Sequence, residues 1–303
     1  MKTLVIVNPA AGHGRGRKRW AKLASSLRGL DAAARFTSRP GEASELALRA
    51  LGEGFEAIVA FGGDGTLGEV VDGYLSAPED ARARTALGCW PAGSGSDTAR
   101  HFELGNGAGG LGRLLREPKL IRVDAGRVSF QDERGRPAAR HFVNVVTLGL
   151  GGEVARRVAR SGKPLGGTIT YLASSIASIA RAKPYSLSLV VDGVAEAPAP
   201  YHLVAVANTS STGGGMKIAP SADACDGRFD VVTVGDMPRA ALLRRLPLVY
   251  AGKHLGQPGV HHRLARRLEV RSDRTAYLNI DGEAVGALPA VFEMMPGAVP
   301  FLT

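Results

Sequence analysis

The chain has 303 residues, of which 45 % are hydrophobic and 22 % are charged, a balance typical of a folded globular protein and not of a disordered one. This length is enough for two domains of ordinary size. The net charge of +10 indicates either a basic solvated surface or a polyanionic partner, such as nucleic acid, an anionic membrane or a phosphate-bearing substrate. Nucleic acid is disfavoured because aromatic residues make up only 6 % and no binding motif occurs.

The first residues carry no recognisable targeting signal. The apolar run from Leu4 to Val7 is too short for the core of a signal peptide. No stretch reaches the roughly 18 apolar residues that a spanning helix needs. Two cysteines, Cys89 and Cys225, form neither a disulfide framework nor a metal cluster. We therefore expect a cytoplasmic protein. Its positive charge would allow it to attach transiently to the inner face of the cell membrane.

Short apolar runs alternate with helical patterns over the first 120 residues. This alternation, with glycine-rich turns after the strands, predicts βα units and a parallel, Rossmann-like sheet. Ligands of such sheets bind at the carboxyl ends of the strands, where these turns fall. The predicted strands are Thr3–Val7, Ala33–Thr37, Ala57–Phe61 and Ala86–Trp90, and the predicted helices are Arg17–Leu27, Glu42–Leu51 and one that ends at Leu75.

Strands predominate after residue 120, which predicts a second, mostly antiparallel domain. We place a nucleotide-binding α/β domain at 1–122 and a β-rich, substrate-binding domain at 123–290, with the active site in the cleft between them. The predicted strands are Ile121–Phe130, His141–Leu148, Tyr185–Val191, Leu203–Ala207, Phe229–Val234, Leu268–Arg271 and Ala276–Ile280, and the predicted helices are Thr168–Ala182 and Arg239–His254.

The run Gly62-Gly63-Asp64-Gly65-Thr66 follows an apolar strand and opens a helix. Glycines there let backbone N–H groups approach phosphate oxygens, and the helix N-terminus adds a positive dipole end. A carboxylate among phosphates needs an intervening Mg²⁺, which makes Asp64 a candidate for direct or water-bridged contact with magnesium. The plainer interpretation is a glycine-rich turn with an Asp cap. Neither a P-loop nor a dinucleotide-binding glycine pattern occurs in the chain.

Two further acidic turns stand in the second half. Asp281 follows a predicted strand and precedes a glycine, which by itself indicates a hairpin turn, as it does at Asp192. Asp223 and Asp226 supply two oxygen ligands one turn apart, which suits a hard cation, although a solvated turn would have the same sequence.

Taken together, these motifs resemble the diacylglycerol kinase catalytic family, which is related to sphingosine kinases and NAD kinases. The resemblance covers nearly the whole chain, and its motifs occur in the family's order. They are Asn8 to Gly12, Gly62 to Thr66, Pro91 to Asp97, Gly213 to Pro220, Asp223 to Gly227 and Asp281 to Glu283.

The resemblance implies an ATP- and Mg²⁺-dependent lipid kinase with a β-sandwich-like second domain. It also implies that the last residues, about 291–303, return to the first domain. It implies Asp281 as general base, with Glu283 beside it at the metal. It implies Asp64 and Asp97 as organisers of the catalytic magnesium, and Asp223, Asp226 and the carbonyl of Arg228 as ligands of a structural magnesium. The nucleotide contacts it implies are Asn8, Thr37, Gly62, Gly63, Asp64, Gly65, Thr66, Leu67, Gly68 and Ser94.

Three positions depart from the family pattern and loosen any inference about the acceptor. Ser96 replaces an amide side chain, Gly68 an Asn, and Gly151 an Asp. Diacylglycerol is the favoured acceptor. A sphingoid base, phosphatidylglycerol and a prenol remain alternatives, as does a non-catalytic nucleotide-binding regulator. The expected partners are ATP, the lipid at a membrane surface and a second copy in a homodimer, without nucleic acid.

Overall fold

A computed structural model describes residues 1–92, 96–104, 110–161 and 167–303. The described chain forms two compact units. The first comprises Met1–Val123 together with Gly297–Thr303, and the second comprises Asp124–Pro296. The sequence-based boundary lies at residue 122, and the predicted return at about residue 291.

The first unit contains a parallel sheet. β1, β3 and β4 are buried and apolar, the edge strand β2 is partly exposed, and the four pair in the order β2, β1, β3, β4. Phe301 joins the free edge of β4, where it pairs in parallel with Leu87. Because parallel strands end at the same edge, the segments that follow β1, β2 and β3 lie side by side. The strands are β1 Thr3–Val7, β2 Ala32–Phe36, β3 Ala57–Gly62 and β4 Ala86–Pro91.

Helices cover this sheet. Trp20 packs edge-on against Phe61, with ring centroids 5.3 Å apart, and so anchors the second helix on the sheet. The predicted helix over 17–27 is shorter than expected, since its last four residues, Ala24–Leu27, form a 3₁₀ turn. The helices are α1 Ala11–Gly14, α2 Gly16–Leu23, α3 Glu42–Gly52, α4 Asp64–Leu75, α5 Glu79–Arg82, α6 Asp97–His101 and α7 Gly110–Arg116.

Antiparallel pairing dominates the second unit, as predicted. One sheet runs in the order β12, β11, β10, β7, β14, and β8, β13 and β5 extend it through further pairings. The strands are β5 Leu120–Gln131, β6 Pro137–Phe142, β7 Val145–Gly149, β8 Tyr185–Val191, β9 Val194–Ala195, β10 Ala199–Ala207, β11 Phe229–Gly235, β12 Val260–Ala265, β13 Arg267–Ser272, β14 Tyr277–Ile280 and β15 Glu283–Leu302. The helices are α8 Leu150–Ser161, α9 Gly167–Ile179 and α10 Arg239–Ala251.

The predictions for this unit differ from the structure at several elements. The strand predicted over 141–148 is two strands, because the backbone between β6 and β7 donates its N–H groups to a side chain. The predictions missed the strands β9, β12 and β15, and they missed α8, which begins directly after β7. A Cβ at Gly152 would lie 2.0 Å from the carbonyl oxygen of Tyr277, so glycine is needed for α8 to pack against β14.

The sheet of the second unit has an apolar layer on each face. Val146 and Leu148 of β7 face a core that includes the stacked rings of Phe142 and Phe229, whose centroids lie 5.6 Å apart. Val145 belongs to a second cluster on the opposite face. Helix α8 packs on β7 and β14, and α9 packs on α8 and α10. The period of two along β7 therefore separates a β-sandwich core from a helix-covered face.

Candidate functional site

The ends of β1 and β3 are joined by side chains. Asn8 follows β1, and its Nδ2 donates to the Thr66 hydroxyl at 3.0 Å, while its Oδ1 accepts the N–H of Ala10 at 3.0 Å. A Cβ at Gly16 would lie 2.3 Å from the carbonyl oxygen of Asn8, so glycine is required where α2 begins. The two predicted nucleotide residues Asn8 and Thr66 are thus brought together at the carboxyl edge of the sheet.

Helix α4 begins within the predicted phosphate turn. β3 ends at Gly62, Gly63 is the N-cap, and the carbonyl of Gly63 accepts the N–H groups of Thr66 at 3.0 Å and Leu67 at 3.2 Å. A Cβ at Gly62 would lie 2.3 Å from Oγ1 of Thr66. Packing against Thr66 is therefore sufficient reason for glycine at 62. The first turn of α4 also contains Gly65 and Gly68, both partly exposed.

Asp64 caps the short helix α6. Its Oδ2 accepts the N–H of Asp97 at 2.9 Å, and its Oδ1 accepts the N–H of Thr98 at 3.0 Å. Burial, followed by the nearby charge of Asp97, raises the pKa of Asp64 to about 6, although these two N–H donors oppose the shift. Asp97 is itself 1 % exposed and forms an ion pair with Arg100. Two carboxylates therefore lie close together in a poorly solvated position.

The remaining nucleotide-side residues occupy the same edge or fall outside the described chain. Thr37 directly follows β2, is buried, and donates its N–H to the carbonyl of Val7 at 2.9 Å. Ser94 lies outside the described residues. Ser96 is described, and its hydroxyl lies 3.5 Å from the carbonyl oxygen of Gly62.

In the second unit, Asp281 sits in the hairpin turn between β14 and β15. Its carboxylate accepts the N–H groups of Val143 at 3.2 Å, Asn144 at 3.2 Å and Val145 at 3.0 Å. The side chain is buried, and its φ of +47° lies in the left-handed region. Three N–H donors hold an ionised carboxylate strongly, so the position of this oxygen pair is fixed by β7 and the residues before it.

Glu283 opens β15 on the other side of the same turn. It pairs with Ile280 in the hairpin register, and its Oε2 forms an ion pair with Arg140 at 3.2 Å. Asp281 and Glu283 therefore lie on the same hairpin turn, with Asp281 held by the 143–145 segment and Glu283 by Arg140.

The Asp223/Asp226 turn is bound by a buried acidic residue of strand β5, Asp124, which was not predicted from the sequence. Asp223 accepts the N–H of Cys225 at 3.0 Å, and Asp226 accepts the N–H of Arg228 at 2.9 Å. Asp124 holds the same turn, since its Oδ2 accepts the N–H of Gly227 at 2.6 Å. Its sequence signal is an aspartate within the apolar strand β5, a place where a charge needs a partner.

In the part of the chain that the structure describes, no group of three or more His, Cys, Asp and Glu side chains is placed to hold a metal ion by itself. A cation at any of the acidic positions described above would need ligands from water or from a nucleotide in addition to protein oxygens. Within the same described ranges, no helix is long and apolar enough to cross a membrane.

Comparison with known families accounts for both units. Residues 2–128 match the diacylglycerol kinase catalytic domain, and residues 144–303 match the YegS C-terminal NAD kinase beta sandwich-like domain. The curated diacylglycerol kinase of Mycobacterium tuberculosis is 29 % identical over 306 residues, covering 99 % of this chain and 94 % of the relative. That of Staphylococcus saprophyticus is 28 % identical over 291 residues, covering 95 % and 90 %.

Solved structures show the same fold. A crystal structure from Bacillus anthracis, described as a candidate diacylglycerol kinase, has a TM-score of 0.81 at 23 % identity and covers 99 % of this chain and 94 % of its own. An NAD kinase from Archaeoglobus fulgidus in complex with ATP has a TM-score of 0.52 at 17 % identity and covers 99 % and 92 %. At these identities the similarity establishes architecture alone.

Proposed function

We propose diacylglycerol as the acceptor of this chain, which belongs to the diacylglycerol kinase catalytic family and is a lipid kinase. The observation that carries the proposal is the match to curated diacylglycerol kinases along nearly the full length of both proteins. The reaction transfers the γ-phosphate of ATP to the free hydroxyl of the glycerol, and the products are ADP and phosphatidic acid. A sphingoid base, phosphatidylglycerol and a prenol are the acceptors against which it has to be tested.

The nucleotide is proposed to bind at the carboxyl edge of the parallel sheet. Asn8, Thr37 and the turn from Gly62 to Gly68 gather there, and Ser94 is assigned to the same site by the family pattern. The N-terminus of α4 offers backbone N–H groups and a positive dipole end to the phosphates. Thr66, which Asn8 holds in place at 3.0 Å, supplies a hydroxyl in the first turn of that helix.

Mg²⁺ fits the donor set of the first unit. Asp64 and Asp97 provide hard oxygen ligands, and their mutual repulsion, which contributes to the raised pKa of Asp64, is what a bound cation relieves. We assign both to the catalytic magnesium, Asp64 keeping its two N–H bonds to α6. When bound, the ion neutralises charge on the phosphates during transfer.

Asp281 is proposed as the general base. The acceptor hydroxyl forms a bond to the γ-phosphorus as the bond to the bridging oxygen of ADP breaks, and the hydroxyl proton passes to the Asp281 carboxylate. The N–H groups of Val143, Asn144 and Val145 hold the carboxylate that receives this proton. Glu283, on the same turn, is assigned to the metal side of the site.

A second magnesium is proposed for the turn that Asp124 holds. Asp223 and Asp226 are exposed, and each uses one oxygen to accept an N–H bond from its own turn, which leaves the other oxygen of each carboxylate for a cation. The carbonyl of Arg228 completes the set assigned by the family pattern. We assign a structural role to this magnesium, because its ligands all belong to one turn of the second unit.

Attachment to an anionic membrane is proposed from charge and from one helix. The chain carries a net charge of +10, and α9 exposes Ile169 (60 %), Leu172 (37 %) and Ile176 (46 %). These three positions recur at helical spacing, so they form one outward stripe. Apolar insertion and attraction to anionic lipids together are the two signals that stable peripheral binding needs.

The experiment that tests the acceptor uses labelled ATP and a panel of diacylglycerol, sphingosine, phosphatidylglycerol and a prenol in the same detergent micelles. Labelled phosphatidic acid as the main product supports the proposal. A main product derived from another lipid would reassign the acceptor, and hydrolysis of ATP without any lipid product would remove it.

A further inference from the structure

The second unit contains an apolar cavity that the phosphate chemistry does not use. The space in it that the centre of a water-sized sphere can occupy is about 110 Å³. It lies between the helix-covered face of the sheet and helices α8, α9 and α10. Tyr171, Ser175 and Ile179 of α9 line it at intervals of four residues, which places one continuous face of that helix against the cavity.

Charge is nearly absent from the lining. Of the described residues that border the cavity, Arg245 alone carries a permanent charge, and its guanidinium contacts the sulfur of Met237 at 2.8 Å. The two lining histidines use Nε2 to donate to backbone carbonyls, His202 to Met237 at 3.1 Å and His254 to Ile218 at 3.0 Å. Apolar cavities of this kind stay dry and take up apolar ligands in preference to water.

The glycine run of 213–215 lies between two residues of the wall. Thr212 and Met216, which flank it, line the cavity and pair with each other through backbone bonds of 2.9 and 3.0 Å. A Cβ at Gly213, whose φ is +65°, would lie 2.7 Å from the ring of Tyr171. The run that sequence analysis singled out in the second domain thus brings its backbone against α9 and shapes this cavity.

The cavity and the carboxylate proposed as the base are linked through strand β7. Thr147 lines it, and the N–H of Val145, two residues earlier on β7, donates to Asp281 at 3.0 Å. Two residues of a strand span about 7 Å, and the side chains of 145 and 147 point to the same face. A lipid whose hydroxyl contacts Asp281 therefore has its first acyl carbons within reach of the cavity.

We propose that this cavity holds a fatty acyl chain of the acceptor lipid and sets the chain length that the enzyme prefers. The inference rests on the proposed function, because it takes Asp281 as the point where the acceptor hydroxyl is held. The occupant is an acyl chain and not a soluble metabolite, since the lining offers long apolar contact and few polar partners.

The test compares a variant that fills the cavity with one that enlarges it. Ser175→Leu adds bulk to the lining face of α9, and Leu246→Ala removes it from the α10 wall. Ala173→Leu, at an exposed position of α9, is the matched control. For each protein, kcat/KM is measured with dihexanoyl-, dioctanoyl- and dipalmitoylglycerol at equal mole fraction in one detergent, after melting curves verify folding.

Ser175→Leu is expected to lower kcat/KM for dipalmitoylglycerol by about tenfold or more. The kcat/KM for dihexanoylglycerol should stay within about twofold of the wild type. Apolar pockets discriminate on this scale between ligands that differ slightly in length. Leu246→Ala should shift the preference toward longer chains, and Ala173→Leu should follow the wild type. Opposite shifts in two variants cannot arise from loss of folding. Profiles that stay parallel in all four proteins would overturn the cavity assignment while the proposed function stands.

A binding measurement separates the two proposals further. A pyrene-labelled decanoylglycerol should bind the wild type, and Ser175→Leu should weaken that binding by about tenfold, whether or not the lipid is phosphorylated. Weakened binding without phosphorylation of any lipid would remove the proposed function and keep the cavity. Equal binding by wild type and Ser175→Leu would remove the cavity.

Discussion

Asp281 and Asp192 have the same left-handed backbone conformation, with φ of +47° and +48°, and each precedes a glycine in a hairpin turn. Their carboxylates differ in what they hold. Asp192 accepts the N–H groups of Arg266 and Arg267 on one oxygen, whereas Asp281 uses both oxygens for three N–H donors. A turn motif therefore does not identify a base, but the two residues form a matched pair for testing one.

Asp281→Asn should lower turnover by about 10²- to 10⁴-fold, the usual contribution of a positioned general base. The new amide also places a donor against an N–H group of the 143–145 segment, so the free energy of unfolding should fall by about 1–3 kcal/mol. Asp192→Asn keeps its one accepting oxygen and should change neither quantity appreciably. Turnover is measured well below both melting temperatures, and wild-type turnover in folded Asp281→Asn would exclude the base assignment.

Thr66→Val should raise KM for ATP by about tenfold, because it removes the hydroxyl from the first turn of α4 and leaves the Nδ2 group of Asn8 without its acceptor. Thr66→Ser keeps the hydroxyl and should remain close to the wild type. The measurement is steady-state kinetics at saturating lipid, with melting curves for both variants. An unchanged KM in Thr66→Val would place the nucleotide away from this turn.

Asp226→Ala should abolish the part of thermal stability that depends on magnesium. Binding of a ligand to the folded state stabilises by RT ln(1 + [L]/Kd), so a 100-fold excess over Kd is worth about 2.7 kcal/mol. Asp132 is the control, since it also accepts backbone N–H bonds in a turn, from Arg134 and Arg136, but has no assigned metal. Melting is followed during a magnesium titration, and a titration response equal to that of Asp132→Ala would contradict the structural site.

Binding to anionic liposomes should weaken sharply as salt rises. Each Lys or Arg near an anionic surface contributes about 1 kcal/mol, and ions at physiological strength screen charges beyond about 8 Å. Replacing Ile176 on the outward stripe of α9 by Ser should weaken the salt-resistant part. Co-sedimentation provides the measurement, and equal binding to neutral and anionic vesicles would eliminate the electrostatic contribution.

Glu42 should give α3 a pH-dependent contribution to stability. Its Oε2 accepts the N–H of Ser38 at 2.5 Å and the Ser38 hydroxyl at 2.7 Å, and these bonds lower its pKa from the ordinary 4.5. Since the folded-state pKa is the lower one, the contribution is complete above the unfolded value and is lost as pH falls through the folded value. The melting difference between wild type and Glu42→Gln should therefore shrink as the pH falls below the ordinary value of 4.5. A difference that is constant from neutral to acid pH would show that the charge is not involved.

Local patterns were sufficient for the strands of the first unit. β1, β3 and β4 are short, buried apolar runs, and β1 occurs at the predicted residues. β2 is more exposed than the other three. Local patterns failed at α8, where three glycines in 149–152 read as a turn. Those glycines serve tertiary packing. Gly152 packs against the carbonyl group of Tyr277, which is 125 positions further along the chain and cannot be inferred from a local pattern.

The site shows the same division between local and distant information. Sequence placed Asp64 after a strand and at the start of a helix, and both hold. It could not show that the Asp64 carboxylate caps α6, because that bond joins segments 33 residues apart. Nor could it find Asp124, whose partner N–H belongs to Gly227. Both are carboxylates whose role is set by a backbone group that only folding brings near.

The parallel pairing of Phe301 with Leu87 bears on the order in which the molecule can be built on the ribosome. Strand β4 emerges long before residues 297–303, which belong to the same compact unit. During synthesis the first unit therefore remains incomplete, with the edge of β4 unpaired, until the whole of Asp124–Pro296 has been made. An open apolar edge invites pairing with other chains. The nascent protein should thus depend on chaperones more than its finished fold would indicate.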